Sequence, residues 1–343
     1  MPLRQEMLDL LSDEWNLVPE DQQIVWAREA MNTIIASAED QSNHISIAGF
    51  LAALQVKGAQ GAHLAGFAGA LRRLGRSIDF GSDQLVDTCG TGGGSASFNI
   101  STGAALLAAA AGAKVAKHGN KAVTSRSGSA DVLSALGIGI TPDEEKLQTC
   151  MKEAGFAFLF APFFYEPLKN LAPIRMALGI RTVFNQLGPL LNPAGARRQV
   201  IGVYDPKLLK PTADALHLLG VDKALVVHGS DGLDEITPTG ATLVWWAGAA
   251  SLDQMEASQF ISSPLTSEEI APGEDPRYSA GLIETALTKA DSIPFRAILP
   301  SAATAISLSL DVSIEESVQR AREAVESGQG ASTLRILREV VPA

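Results

Sequence analysis

Cysteine is scarce in this chain, and so are the features of secreted, membrane-spanning or nucleic-acid-tracking proteins. Only Cys89 and Cys150 occur, too few for a disulfide framework or a four-cysteine zinc site. There is no His/Cys spacing suited to zinc and no Gly-x-Ser-x-Gly elbow. Positive charge is in deficit: 27 Lys and Arg against 38 Asp and Glu leave a net −11. That balance argues against a surface that follows a nucleic-acid backbone, while leaving room for a local basic pocket. Long apolar runs are missing too. Ala104–Ala113 and Ala241–Leu252, read as the longest, fall well short of the ~20 residues of a membrane span. No basic n-region followed by an apolar h-region opens the sequence, so a reducing, cytoplasmic location is expected, with no membrane partner. What remains is ordinary for a folded protein. An apolar fraction of 46% over 343 residues excludes a disordered or collagen-like chain, and the length suggests two domains.

Residues 1–80 read as helical. Ile47, Phe50, Leu51 and Leu54 form an i, i+3, i+4, i+7 stripe over Ser46–Gly58, closed by Lys57 and Gly58. A second stripe, Leu64, Phe67, Leu71 and Leu74, ends at Gly75. From residue 84 the texture changes. Leu85–Cys89, Lys114–Ala116, Phe156–Phe160, Gln199–Val203 and Ala224–Val227 read as strands. Gly103–Ala113, Ala130–Leu136 and Pro206–Leu219 read as helices between them, and Arg320–Glu326 and Ala331–Val341 as closing helices. Strands alternating with helices indicate an α/β fold with a mostly parallel central sheet flanked by helices. Pro167–Leu191 breaks that rhythm with helical text and prolines. His44, His63 and His217 fall in helical text and are read as surface or packing residues.

Three short segments carry chemistry. Asp87-Thr88-Cys89-Gly90-Thr91-Gly92-Gly93-Gly94 runs from a strand toward a helix that starts near Asn99, Ser101 and Thr102. Glycines let N–H groups approach an anion, and a helix N-terminus adds partial positive charge. It is neither a P-loop nor a Rossmann fingerprint. Lys117-His118-Gly119-Asn120-Lys121, placed after a strand, and Ser125-Arg126-Ser127-Gly128-Ser129 offer a second polar, cationic loop. Two such loops one βα unit apart suit a ligand phosphorylated at both ends. Asp234 and Glu235, after a strand and a glycine turn, are hard oxygen ligands suited to Mg²⁺ shared with substrate phosphates.

Together these motifs resemble the anthranilate phosphoribosyltransferase family. The likeness is carried by Gly90–Gly93, Asn99–Thr102, Lys117–Asn120, Ser127–Asp131, Asn185–Pro193 and Asp231–Glu235, in family order along nearly the whole chain. It implies a small all-helical domain, residues 1–80 joined by a returning segment near 167–192, packed on an α/β domain of residues 81–343. It also implies a homodimer through the helical domain. The implied activity is transfer of phosphoribose from 5-phosphoribosyl 1-pyrophosphate (PRPP) to the amine of anthranilate, with Mg²⁺. The matching positions for PRPP are Gly90, Thr91, Gly92, Gly93, Ser97, Asn99, Ile100, Ser101, Thr102, Lys117, Gly119, Lys121, Ser125 and Ser129. Ser101, Asp234 and Glu235 match metal positions. Asn120 and Arg175 match the acceptor side, Tyr165 and Pro189 are further substrate-binding positions, and Arg175, Asn120 and His118 are the candidate catalytic residues.

The chain departs from the family at two places. Gly94 follows Gly93 where the family has an Asp, in a loop one residue shorter, and Tyr165 stands where a family histidine approaches the acceptor. Lys121 replaces a common Arg. The alternatives are a pyrimidine nucleoside phosphorylase of the same architecture, a transferase for another aromatic amine, and a non-catalytic paralogue that binds nucleic acid. The −11 charge and the Asp-Glu pair disfavour the last.

Overall fold

The computed structural model describes residues 2–12, 14–15, 17–95, 97–121, 127–273 and 275–343. Four helices come first: α1 (Arg4–Leu11), α2 (Glu20–Ser37), α3 (His44–Lys57) and α4 (Gly61–Leu74). Then β1 (Leu85–Gly90), α5 (Ile100–Ala110), β2 (Lys114–Gly119), α6 (Ser129–Ala135), α7 (Glu144–Ala154) and β3 (Phe156–Phe160) alternate. The irregular stretch that follows holds three short helices, α8 (Ala161–Phe164), α9 (Ala172–Leu178) and α10 (Val183–Leu187). The alternation resumes with β4 (Arg198–Gly202), α11 (Leu209–Leu218), β5 (Lys223–Gly229), β6 (Ala241–Trp246) and β7 (Asp253–Glu256). Four helices close the chain: α12 (Pro276–Thr288), α13 (Ile293–Leu310), α14 (Ile314–Glu326) and α15 (Gln329–Val340).

The described strands form one sheet in the order β3-β2-β1-β4-β5-β6-β7. β3 through β5 run parallel, whereas β6 and β7 are antiparallel. The mostly parallel α/β architecture expected from the sequence is therefore present. Two details differ from the reading. Ala241–Leu252 is not one apolar run but a strand and the turn after it, since only alternate residues of β6 turn inward. The long apolar helix is instead α13, 18 residues of mean hydropathy 1.3, 78% of it buried inside the molecule, as befits a core helix.

Strand side chains alternate between faces, and each face has its own core. Val115, Val200, Leu225 and Val227 point to one face, against α5 and the C-terminal helices. Ala116, Ile201, Ala224 and Val226 point to the other, in a core continuous with Phe50, Phe67, Leu71, Leu187 and Leu190. The N-terminal helices and the returning segment thus cover a sheet face that would otherwise be exposed; α4 packs on α11, α9 on α3 and α10 on α4. His63 is a packing residue, as read. It is fully buried, stacked on Trp15 at 3.9 Å, and burial pushes its imidazole down to about 4.

Candidate active site

The parallel sheet reverses its winding between β1 and β4, the position where open α/β sheets leave a crevice beyond their carboxyl ends. Gly90 and Gly202 face each other there in register. The Thr91 N–H donates to the Gly202 carbonyl at 2.9 Å, and the Tyr204 N–H donates to Thr91 Oγ1 at 3.1 Å. Beyond Thr91 the chain turns through Gly92 and Gly93 with φ of 67° and 84°, a conformation L side chains rarely adopt. Asp234 fills the centre of this turn. A Cβ on Gly90 would lie 2.8 Å from Asp234 Oδ2, and one on Gly94 would lie 2.8 Å from both Asp234 N and Oδ1.

This packing explains the glycine at 94. The short loop lies directly on the Asp234 backbone and is fastened by Ser95, whose N–H donates to Gly232 O at 2.8 Å and whose hydroxyl donates to Asp231 O at 2.7 Å. A side chain such as the family's Asp has no room at that position. Gly202 is tighter still, because a methyl there would overlap the Asp234 carbonyl. Gly202→Ala is therefore expected to cost about 1–3 kcal/mol of stability, as overpacking does. It should also cut activity, because the backbone carrying Asp234 has to move. Thermal unfolding and steady-state turnover check this; a variant unchanged in both would mean the Asp234 backbone is not held against β4.

Glu235 meets the start of α5. Its Oε1 accepts the Ser101 N–H at 2.9 Å, and its Oε2 accepts the Ser301 hydroxyl at 3.3 Å. Burial, followed by repulsion from Asp234, pushes the Glu235 carboxyl up to about 8; Lys117, the Ser101 N–H and Ser301 oppose that rise. Burial also raises Asp234, against its own N–H, that of Gly92 and the Arg181 charge. Both side chains keep some solvent exposure on the crevice side. Two adjacent carboxylates enclosed by protein, with no ion pair among the described residues, are a donor set completed by a hard divalent cation. Among the described residues no group of three or more His, Cys, Asp or Glu could hold a metal by itself. That suits Mg²⁺, which usually takes one or two carboxylates and completes its shell with water and substrate phosphate.

The second polar segment is placed differently from its sequence reading. Lys117, His118 and Gly119 do not follow β2; they are its last residues. Lys117 is 1% exposed and its Nζ donates to the Thr88 carbonyl, so in this state the ammonium braces β1 rather than projecting into a loop. Its neighbour Asp87, fully buried, accepts the His118 N–H at 3.1 Å and the Asn192 side chain at 2.8 Å, and burial pushes its carboxyl up to about 6. His118 is also buried, and its Nδ1 bonds the Gly188 carbonyl at 3.1 Å. A carbonyl can only accept, so Nδ1 carries the proton and Nε2 presents a lone pair. That Nε2 has no hydrogen-bond partner among the described residues. Burial holds the ring neutral, pushing it down to about 4.

Asn99 Nδ2 donates to Ser127 O at 3.1 Å, joining the two loops. Ser97 donates its hydroxyl to Phe98 O at 2.9 Å, while Ile100 and Thr102 are buried in the first turn of α5. Lys121 and Asn120 are exposed, and Ser129 opens α6 beside Gly119. Ser125 and Arg126 lie outside the described residues.

The returning segment closes the crevice from the helical side. Arg175, on α9, is half-buried with its guanidinium 5.4 Å from the Phe184 ring centroid. The guanidinium has no hydrogen bond or ion pair with any described residue, and burial lowers its pKa without a carboxylate to oppose it. The structure does not bring Arg175 into contact with the Asp234–Glu235 pair. Pro189 is buried and its carbonyl accepts Gln199 Nε2 at 3.1 Å. Tyr165 is placed as a packing residue. It is 5% exposed, its hydroxyl donates to Leu191 O at 2.7 Å, its ring abuts Gly75, and burial raises its phenol to about 12. Two residues that the sequence reading passed over also reach the crevice: Ser301 on Glu235, and Arg181, whose guanidinium bonds the Gly93 carbonyl.

A family model described as glycosyl transferase family, a/b domain, matches residues 82–331. The anthranilate phosphoribosyltransferase of Clostridium kluyveri (strain NBRC 12016) is 44% identical over 298 residues, 84% of this chain and 87% of that protein. That of Methanosarcina barkeri is 42% identical over 336 residues, covering 95% and 87%. Among solved structures, the Thermus thermophilus anthranilate phosphoribosyltransferase superposes with a TM-score of 0.85 at 36% identity, over 94% of this chain and 95% of that one. The Saccharomyces cerevisiae enzyme in complex with PRPP and Mg gives 0.88 at 29% identity, over 98% and 97%.

Proposed function

Since this chain belongs to the anthranilate phosphoribosyltransferase family, we propose that it transfers phosphoribose from PRPP to the amine of anthranilate, giving N-(5-phosphoribosyl)anthranilate and pyrophosphate. The observation that carries this reading is the bond from Ser101 N–H to Glu235. It joins the anion-binding start of α5 to the adjacent carboxylate pair in the crevice. A nucleoside phosphorylase, which uses phosphate rather than a metal-bound pyrophosphate, has no need of that pairing.

In this proposal the glycine loop and the N-terminus of α5 hold the pyrophosphate end. Gly90, Thr91, Gly92, Gly93, Ser97, Asn99, Ile100, Ser101 and Thr102 would line that end, the Thr91 and Ile100 N–H groups being already engaged by the Gly202 and Phe98 carbonyls. Gly119, Lys121, Ser125 and Ser129, with Lys117 once it leaves the Thr88 carbonyl, would take the remainder of PRPP. Ser101, Asp234 and Glu235 would hold Mg²⁺. When bound, the ion supplies charge compensation for the departing pyrophosphate. The reaction breaks the bond from ribose C1 to pyrophosphate oxygen and forms one from C1 to the anthranilate nitrogen, which then releases a proton. Fixed N–H donors at the loop stabilise the charge that grows on the leaving group.

The acceptor amine is uncharged near neutral pH and attacks through its own lone pair. Arg175 pairs with the acceptor carboxylate and sets its approach, with Asn120 and Pro189 beside it. His118, fixed as the Nδ1–H tautomer with a buried, unpartnered Nε2 lone pair, is the remaining candidate catalytic residue. Tyr165 acts on the acceptor side only through the packing of Gly75 and the His118 ring, 6.1 Å away.

The proposal extends to organisation. The helical domain would comprise residues 1–80 and 167–192, and the transferase domain the rest of 81–343. A homodimer through the helical domain is supported by large exposed apolar side chains on packed helices α1 and α3: Leu8, Leu11, Ile45 and Val56. Free thiols at Cys89 and Cys150 support a reducing, cytoplasmic setting. The test is fluorescence-monitored consumption of anthranilate by the purified protein. Consumption is expected only with both PRPP and Mg²⁺; PRPP binding without it would move the assignment to another aromatic amine.

A further inference from the structure

Arg181 lies between α9 and α10, one residue before Thr182, the N-cap of α10. From there its guanidinium spans 88 positions of sequence to donate to the carbonyl of Gly93. The same guanidinium is stacked 4.0 Å over the ring of Tyr204, which stands just past β4 and whose N–H is bonded to Thr91. Three segments therefore converge on one planar cation: the segment that carries Arg175, the end of β4, and the glycine loop. Arg181 is exposed and forms no ion pair with a described carboxylate, its charge acting on Asp234 only at longer range.

We propose that Arg181 is a positioning residue for the pyrophosphate end of the substrate: stacked on Tyr204, it holds the Gly93 carbonyl outward and so turns the Gly94 N–H into the anion crevice. The carbonyl of Gly93 and the N–H of Gly94 belong to one planar trans peptide, in which the two groups point to opposite sides. Gly93, at φ 84°, is free to rotate that peptide in either sense. A donor fixed on its carbonyl selects one. The stack matters as much as the charge. A guanidinium can lie flat on an aromatic ring and donate from its edge at the same time, which an ammonium cannot. The inference rests on the PRPP-transferase reading above, and it adds a link between the acceptor-binding segment and the pyrophosphate loop.

The test compares wild type with Arg181→Lys, Arg181→Gln and Tyr204→Leu, measuring Mg²⁺-pyrophosphate binding by calorimetry together with steady-state kinetics and melting temperature. Arg181→Lys keeps the charge, yet is expected to raise both the pyrophosphate Kd and the PRPP KM about tenfold. Tyr204→Leu should raise them in the same direction, with the anthranilate KM and the melting temperature unchanged. Wild-type binding by the Lys variant, with loss only in Arg181→Gln, would show that charge alone matters and overturn the positioning role. A fall in melting temperature with both KM values rising together would overturn it in favour of a structural one. If wild type binds neither PRPP nor pyrophosphate, the transferase reading fails, and this inference with it.

Discussion

Asp234→Asn combined with Glu235→Gln should lower kcat/KM for PRPP by about a thousandfold or more, about 4 kcal/mol of transition-state stabilisation, while leaving the fold intact. In Glu235→Gln the amide oxygen can still accept the Ser101 N–H, and the amide NH2 can donate to the Ser301 hydroxyl, which turns to accept. What disappears is the pair of anionic oxygens. The fold has little to lose, since Glu235 already sits where its charge is disfavoured. Its carboxyl is raised from 4.5 to about 8 in the folded chain. Between those values the folded state binds the extra proton, so this group's contribution to stability falls as pH rises through the window. In the double variant that fall should vanish. Melting temperatures at the two ends of the window, taken beside Mg²⁺-dependent turnover, separate the effects. Near-normal turnover in a folded double variant would remove the metal role from this pair.

The parts of the site readable from the sequence are those whose chemistry lies within a few consecutive residues. Glycines at 90 and 92–94, the Asn99–Thr102 cap and the Asp234–Glu235 pair announce themselves because turn and helix-start chemistry is local. Contacts set by the sheet are a different matter. Glu235 meets Ser101 across 134 positions and Ser301 across 66, a consequence of strand order that no local pattern encodes. Lys117 and His118 read as loop residues in the sequence because charge suggests exposure. The strand runs on through them because the Thr88 carbonyl and Gly188 give their polar ends partners inside. The β6–β7 hairpin is not legible in the sequence because Trp245 and Trp246 mask its alternation. Arg181 could not be told from any other arginine until the fold set Tyr204 and Gly93 on either side of it.

Arg175→Ala is expected to reduce kcat/KM for anthranilate by about 10²- to 10³-fold while the KM for PRPP changes by no more than about twofold. The asymmetry follows from where the guanidinium sits. It lies on the returning segment, over Phe184 and away from the Asp234–Glu235 pair, so its loss takes nothing from the pyrophosphate end. Being half-buried with no described carboxylate partner, it is already desolvated, and an incoming carboxylate gains the full charge-assisted pairing. Arg175→Lys should recover only part of the loss, because one ammonium cannot reproduce two parallel N–H bonds to a carboxylate. An aromatic amine lacking the carboxylate supplies the complementary measurement. It should be a poor acceptor for wild type and equally poor for Arg175→Ala, because the group that Arg175 would hold is absent. If anthranilate dependence is unchanged in Arg175→Ala, or PRPP dependence moves as far, Arg175 does not hold the acceptor.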